Sequence, residues 1–484
     1  MTPTYHTEYK QNIYNWSLVR DCVQGEAAVK RKNTLYLPIP SGMINAQSAD
    51  SYIGNYSTYG LDNKRNIELY NPNKHTNPAY QAYLHRAHLP GMTDHTLRGL
   101  LGIAMRKHPT VSLPSSLQYM IGDATMGHLS LINLFIESVS EVLQTGRCGL
   151  GLDVDDMGQI KFVMYKAEDI MNWDYDKKLN KVLLKEEKLE DWLSDECYEE
   201  YKILEIEDGV FTVSEFYADN SEPDEVTVPV VMGRPLGELP FKIVGALTNE
   251  PNVDPAPLLP VALTALQIYM KNADLSQAEY LTCNPTLIIT GASPDEAPVT
   301  TGSTVAIVLN DPMSKVYYTE TDSSGMTHLL KHIEKLSDEA SQHGASLIAQ
   351  QKGEKESGDA LRIRQAASTS TLHSVVNTVG DAIESLLKTA SNWMGVDSTQ
   401  ILFEPNTEFS ESGLDAGQMM SLMNAYLNGG ISLETLVDNF RRSGMLQSGD
   451  DTSTELSRLK AQSETQPVVT TQPMTTTQQP EGGI

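Results

Sequence analysis

His328 and His332 stand four residues apart in the run His-Leu-Leu-Lys-His, with His343 further along. On a helix that spacing puts two imidazoles on one face, where they can share a metal ion. The zinc-protease pattern needs a Glu directly after the first His, and Leu329 stands there instead. The pair is therefore read as solvated or interhelical, with a metal-dependent enzyme kept as the alternative. Asp153, Asp155, Asp156 and Gly158 resemble the start of a calcium loop. Its fifth position is Met157 and its twelfth is Met164, where an oxygen ligand and a bidentate Glu are required. A hairpin turn is the better reading. The run Gly146-Arg-Cys-Gly-Leu-Gly151 is rich in glycine, but it follows a helical pattern and opens a strand-like one. A phosphate cradle needs the reverse order. No Walker lysine or nucleophile elbow is present. Cys22, Cys148, Cys197 and Cys283 are widely separated and form no metal or redox pair. The expectation is a non-enzyme with no catalytic residue, metal or cofactor.

What remains is electrostatic chemistry. Residues 350–358 read Gln-Gln-Lys-Gly-Glu-Lys-Glu-Ser-Gly, placing Lys352 and Lys355 beside Glu354 and Glu356 in an apolar-free, glycine-bearing loop. Arg362 and Arg364 follow in the next helical pattern. The chain of 484 residues carries a net charge of −27. Proteins that grip DNA tightly neutralise phosphates with basic faces, so static duplex binding is disfavoured. A surface along which DNA slides remains compatible with the composition. Residues 185–225 hold sixteen Asp or Glu against three Lys, about half of the imbalance, with apolar residues interleaved. That pattern fits strands with a solvated acidic face. No apolar run approaches the roughly 20 residues that cross a bilayer. No basic start precedes an apolar block, so no signal peptide is expected.

These residues depend on elements that periodicity outlines. Apolar residues at Leu131, Leu134, Phe135, Val139 and Val142 predict a helix over 129–144, capped by Gly146. Residues 149–154 and 159–165 predict a hairpin around Gly158. Nine aromatic residues between Tyr14 and Tyr83 lie among Gly, Asn and Pro, and are read as loop tyrosines with wet hydroxyls. Residues 241–260, with Pro251, Pro255, Pro257 and Pro260, read as a rigid connector between two bodies. Two helices follow, over 261–282 and 326–349. Ala262, Leu266, Tyr269 and Ala273 step by three and four along the first, and Leu329, Ile333, Leu336 and Ala340 along the second. Narrow seams of this kind suit packing against neighbours. Between them lie three strand-like runs at 286–290, 304–309 and 315–319. A third helix over 359–394 contains Ser368-Thr-Ser-Thr371, where a bend is expected. Two shorter helices, 414–427 and 433–442, flank Asn428-Gly-Gly, and residues 447–484 read as a disordered tail.

In this order, and in local wording, the chain resembles the portal proteins of tailed bacteriophages, in a portal-like family also known as a phage domain of unknown function. The wording lies in Trp16-Ser-Leu-Val-Arg-Asp-Cys-Val-Gln-Gly, Tyr36-Leu-Pro, the stretch from Arg86 to Gly102, Thr145-Gly-Arg-Cys-Gly-Leu-Gly-Leu-Asp, and Tyr165-Lys-Ala-Glu-Asp-Ile-Met-Asn-Trp. The likeness runs from about Trp16 to Leu446.

The resemblance implies an α+β portal fold assembled as a ring of about twelve subunits. It implies a wing over residues 1–257, stem helices over 258–283 and 326–349, and a clip over 284–325. A tunnel loop over 350–358 would meet transient double-stranded DNA through Lys352, Glu354, Lys355 and Glu356. The wing helix and strand would span 359–409, the crown 410–446 and the tail 447–484. Arg362 and Arg364 would face the channel or pair with acids of the next subunit. The implied partners are further copies of the chain, the major capsid protein, the terminase large subunit and a neck or adaptor protein, with no membrane. The implied location is the capsid portal vertex of the virion, after assembly in the host cytoplasm. A scaffold or neck adaptor is the structural alternative.

Overall fold

The computed structural model describes residues 4–43, 78–176, 178–189, 197–217, 225–282, 286–290, 313, 315–319, 324–348, 358–407, 409, 416–428, 430–442 and 457–458. The fold is α+β, in two compact units, Met1–Thr407 and Glu408–Ile484.

The first unit opens with helix α1 (Thr7–Gln24), which buries Tyr9, Trp16, Leu18, Val19 and Cys22. Gly25, at φ +94°, separates it from α2 (Glu26–Arg31). Helices α3 (Pro78–Arg86) and α4 (Met92–Ala104) and the short strand β1 (Thr110–Ser112) follow. Helix α5 (Leu131–Thr145) starts where the Ser130 hydroxyl accepts the Asn133 N–H at 3.2 Å. It stops at Gly146, whose φ of +81° only glycine adopts cheaply. A Cβ on Gly146 would also meet the Asp254 carbonyl oxygen at 2.3 Å, so the chain needs glycine there twice over.

Strands β2 (Arg147–Val154) and β3 (Ile160–Tyr165) form the expected hairpin. Strands β4 (Ile170–Tyr175), β5 (Leu179–Leu189), β6 (Cys197–Glu207), β7 (Val210–Tyr217) and β8 (Glu225–Thr227) make an antiparallel meander in sequence order. This is the acidic stretch, and its inner side packs Met171, Tyr201 and Phe216 together. Two-residue strands β9 (Val230–Val231) and β10 (Arg234–Pro235) pair with each other. Strand β11 (Phe241–Gly245) joins the other edge of β2.

Helix α6 (Leu259–Thr282) leads to strand β12 (Thr286–Thr290), which pairs antiparallel with β13 (Lys315–Thr319). Helix α7 (Ser324–Ile348), helix α8 (Gly358–Met394) and strand β14 (Leu402–Glu404) complete the unit, with β14 paired to β1. At 1.5 Å per residue α8 is about 55 Å long. Its second half buries Leu372, Val375, Val376, Val379, Ile383, Leu386 and Trp393 against α5, β2 and β11. The second unit contains α9 (Ala416–Leu427) and α10 (Leu433–Arg442). Ser432 caps α10 by accepting the Thr435 N–H at 3.1 Å.

Several expectations are corrected. The proline-rich connector is not uniform: its first five residues are β11, held by pairing with β2. Pro260 sits in the first turn of α6, where its missing N–H costs nothing. Tyr14 and Trp16 lie on α1, and Tyr80 and Tyr83 on α3, not in loops. Three of the tyrosine hydroxyls donate internally instead of to water: Tyr36 to Asp21 at 2.6 Å, Tyr80 to the Leu37 carbonyl at 2.8 Å and Tyr83 to Asp274 at 2.7 Å. Tyr52, Tyr56, Tyr59 and Tyr70, the run 304–309 and most of the tail lie outside the described residues. Helix α8 is continuous through Ser368–Thr371.

Candidate functional site

The candidate site is the helical body of α6, α7 and α8. Helix α6 packs against α1, α3, α4 and α7. Ala262, Leu266, Tyr269 and Ala273 are all buried by the chain itself. The Cys22 thiol lies 3.8 Å from the Ala262 carbonyl, showing how closely α1 approaches this small residue. Farther along α6, Tyr83 donates to Asp274, and Arg86 bonds Gln277 and lies 4.3 Å over the Tyr280 ring. The α6 seam is therefore covered by other helices of the same chain.

On α7, Leu336 and Ala340 are buried, and Leu329 and Ile333 are half-buried. The helix packs against α6, α4 and α8. At Gly344 it crosses α4 so closely that a Cβ would stand 3.1 Å from the Thr96 hydroxyl. His328, Lys331, His332 and Lys335 are exposed. Among the described residues no group of three metal-ligating side chains is found. His343 lies 3.9 Å from Glu339 on its own helix. The lysines between the histidines had the same helical spacing in the sequence, but a search for metal ligands passes over them.

Lys352, Glu354, Lys355 and Glu356 lie outside the described residues, as do the side chains of Arg362 and Arg364, whose backbone belongs to α8. The calcium-like run is a turn: Asp155 accepts the Met157 and Gln159 N–H groups at 2.9 and 2.8 Å, and Gly158 sits at φ +77°. That carboxylate is already satisfied by backbone. Cys22 and Cys148 are buried, and burial pushes the Cys22 thiol up to about 12 and that of Cys148 higher. Neither is a nucleophile at neutral pH.

Two buried charge centres escaped sequence reasoning. Arg20 on α1 bonds Glu168 at 2.5 Å and Glu141 at 2.6 Å, tying α1 to α5 and to the entry of β4. Arg147 is fully buried beside Gly146, with its guanidinium 4.2 Å over the Trp173 ring and no hydrogen-bond partner. Burial lowers its pKa to about 10, against the pull of Glu8 and Asp254. Beside the Arg20 centre, burial and the Glu168 charge raise Asp169 to about 6. No helix among the described residues is long and apolar enough to cross a membrane.

No curated protein matches the chain. Among solved structures, a chain from the neck of an empty GTA particle, computed with C6 symmetry, is 12% identical with a TM-score of 0.38. The alignment covers 73% of this chain and 90% of that one. A chain from the neck of a native GTA particle, computed with C12 symmetry, is 12% identical with a TM-score of 0.36, covering 71% and 88%. Residues 257–394, from the start of α6 to the end of α8, match the family model described as Domain of unknown function (DUF4055).

Proposed function

We propose that the chain is the subunit of a phage portal, a ring through which double-stranded DNA enters and leaves the capsid. The observation that carries this reading is the succession of elements from 257 to 394. Helices α6 and α7 pack together and are separated in sequence by the β12–β13 hairpin, and α8 then runs for 37 residues. That is the stem, clip and wing-helix order of the portal resemblance. In this reading the chain is a conduit and not an enzyme, and ATP hydrolysis belongs to a separate terminase motor. The hairpin end of the α6–α7 pair is the docking place for terminase and then for a neck protein. The α9–α10 unit is the crown inside the head, and the complex resides in the virion.

The buried α6 seam bears on assembly. Since the chain covers Ala262, Leu266, Tyr269 and Ala273 itself, ring contacts must use other surfaces. The test is the mass of the purified protein by mass photometry, with negative-stain imaging of the same sample. Closed rings of about twelve copies with a central hole are the expected result. A monomer or dimer at every concentration, carrying a stoichiometric metal that the His332→Ala variant loses, would overturn the reading in favour of a metal enzyme.

A further inference from the structure

We propose that Arg147 and Glu8 form a two-position latch: the Glu8 carboxylate moves between the Val253 N–H and the buried Arg147 guanidinium, and in the second position it frees the segment 246–257 that leads into α6. The latch does not depend on the portal reading. Arg147 is wholly buried, and its Nε, Nη1 and Nη2 find no hydrogen-bond partner. The Trp173 ring, 4.2 Å away, offsets part of that charge. A guanidinium out of water nevertheless stays costly until a carboxylate reaches it. Two carboxylates stand at this place. Asp254 lies against Gly245, the register partner of Arg147. Glu8 lies in the first turn of α1, just after His6, whose ring stacks on Trp173 at 3.9 Å.

Both carboxylates are engaged by backbone instead. Asp254 accepts the Leu247 and Thr248 N–H groups at 2.7 and 3.3 Å, whereas Glu8 accepts the Val253 N–H alone, at 2.8 Å. Glu8 is half-buried and comes from α1, outside the segment, so it is the partner that can move. The segment itself is strapped to its surroundings at both ends. The Thr378 hydroxyl of α8 donates to the Gly245 carbonyl at 2.8 Å, and Asn249 donates to the Thr378 carbonyl at 2.9 Å. At the far end the Leu258 N–H donates to the Leu143 carbonyl of α5 at 3.2 Å. Between these anchors the Val253–Glu8 bond ties the strap to α1. Moving Glu8 to Arg147 exchanges one charge-assisted bond for another. The two positions therefore lie close in free energy, as a switch requires. Freeing the strap lets the start of α6 shift relative to α1.

The test is hydrogen–deuterium exchange of the full-length chain, read by mass spectrometry at the peptide containing Val253 and compared with peptides from α5. In the wild type, exchange at Val253 should be faster than in α5 and insensitive to low urea, the mark of local opening. Arg147→Met removes the second position and should slow Val253 exchange about tenfold, the population change that one charge-assisted bond carries. Glu8→Gln keeps an acceptor for the Val253 N–H but offers Arg147 no charge, so it should also slow exchange. Added to Arg147→Met, the same change should speed it, because only the weakened cap remains. A static buried charge gives other signs: Arg147→Met leaves Val253 unchanged or faster, and Glu8→Gln speeds exchange in both backgrounds. Either result overturns the latch, as does wild-type Val253 exchanging no faster than α5. If Arg147→Met does not fold, Glu8→Gln alone decides: slower exchange keeps the latch, and equal or faster exchange overturns it.

Discussion

In the five-stranded sheet, Lys181, Lys185, Lys188 and Lys202 each reach a carboxylate on the same or the next strand at 2.5 to 3.6 Å, whereas on α7 Lys331 and Lys335 reach none. Both regions are rich in charge, and they differ in what holds the neighbours. Strand register sets Lys181 directly opposite Glu205 and Lys202 directly opposite Glu215, so pairing follows from the ladder. On α7 the nearest acidic residues in sequence, Glu334, Asp338 and Glu339, lie on the helix itself, and exposed pairs on one helix are worth only a few tenths of a kcal/mol. Charge in the sheet thus serves the fold, whereas Lys331 and Lys335 make no ion pair among the described residues.

The comparison breaks most visibly where internal pairing is deepest. Arg20→Ala leaves Glu141 and Glu168 facing each other, both at most 22% exposed. Chemical denaturation should show a loss of about 3 kcal/mol. An unaltered midpoint would mean that the cluster does not stabilise the first unit. A carboxylate with too little compensation gives the opposite sign. Asp169 is raised to about 6, so the folded chain keeps a proton that the unfolded chain releases near 4. Stability therefore falls as pH rises from about 4 to about 6 at this group. Asp169→Asn should remove that fall and stabilise the protein at neutral pH by on the order of 2 kcal/mol. Melting curves over that pH range check it, and a wild-type slope retained in the variant refutes the assignment.

Lys202→Ala sharpens the contrast at smaller scale. It strips Glu186 and Glu215 of their shared cation and should cost about 1 kcal/mol in a urea titration. Lys331→Gln with Lys335→Gln should change stability by less than about 0.5 kcal/mol, because both groups are exposed and unpaired. A large loss there would show that these lysines, like those of the sheet, stabilise the fold.

Much of the local structure was legible in the residues. The α5 helix, its Gly146 stop and the β2–β3 hairpin came from periodicity and turn chemistry, which act over a few residues. The α6–α8 succession was legible for the same reason, as was the absence of a calcium ligand at Met157 and Met164. Tyr14 and Trp16 were misplaced because α1 carries its buried residues without a strong apolar stripe, and packing against α6 compensates. The division of residues 241–260 was hidden because Phe241–Gly245 becomes a strand only through pairing with β2. The α6 seam was visible as spacing, but spacing does not say whose residues cover it.

The amino-acid order by itself determined the helices and turns whose caps are local, the concentration of acid in residues 185–225, and the 3–4–7 spacing of basic groups on α7. Tertiary structure alone decided which charges are paired and which faces are covered. Arg20 meets partners 121 and 148 residues away, and Ala262 meets Cys22 from 240 residues earlier. Pairing and burial of that kind depend on distances between remote segments, which periodicity along one chain does not encode.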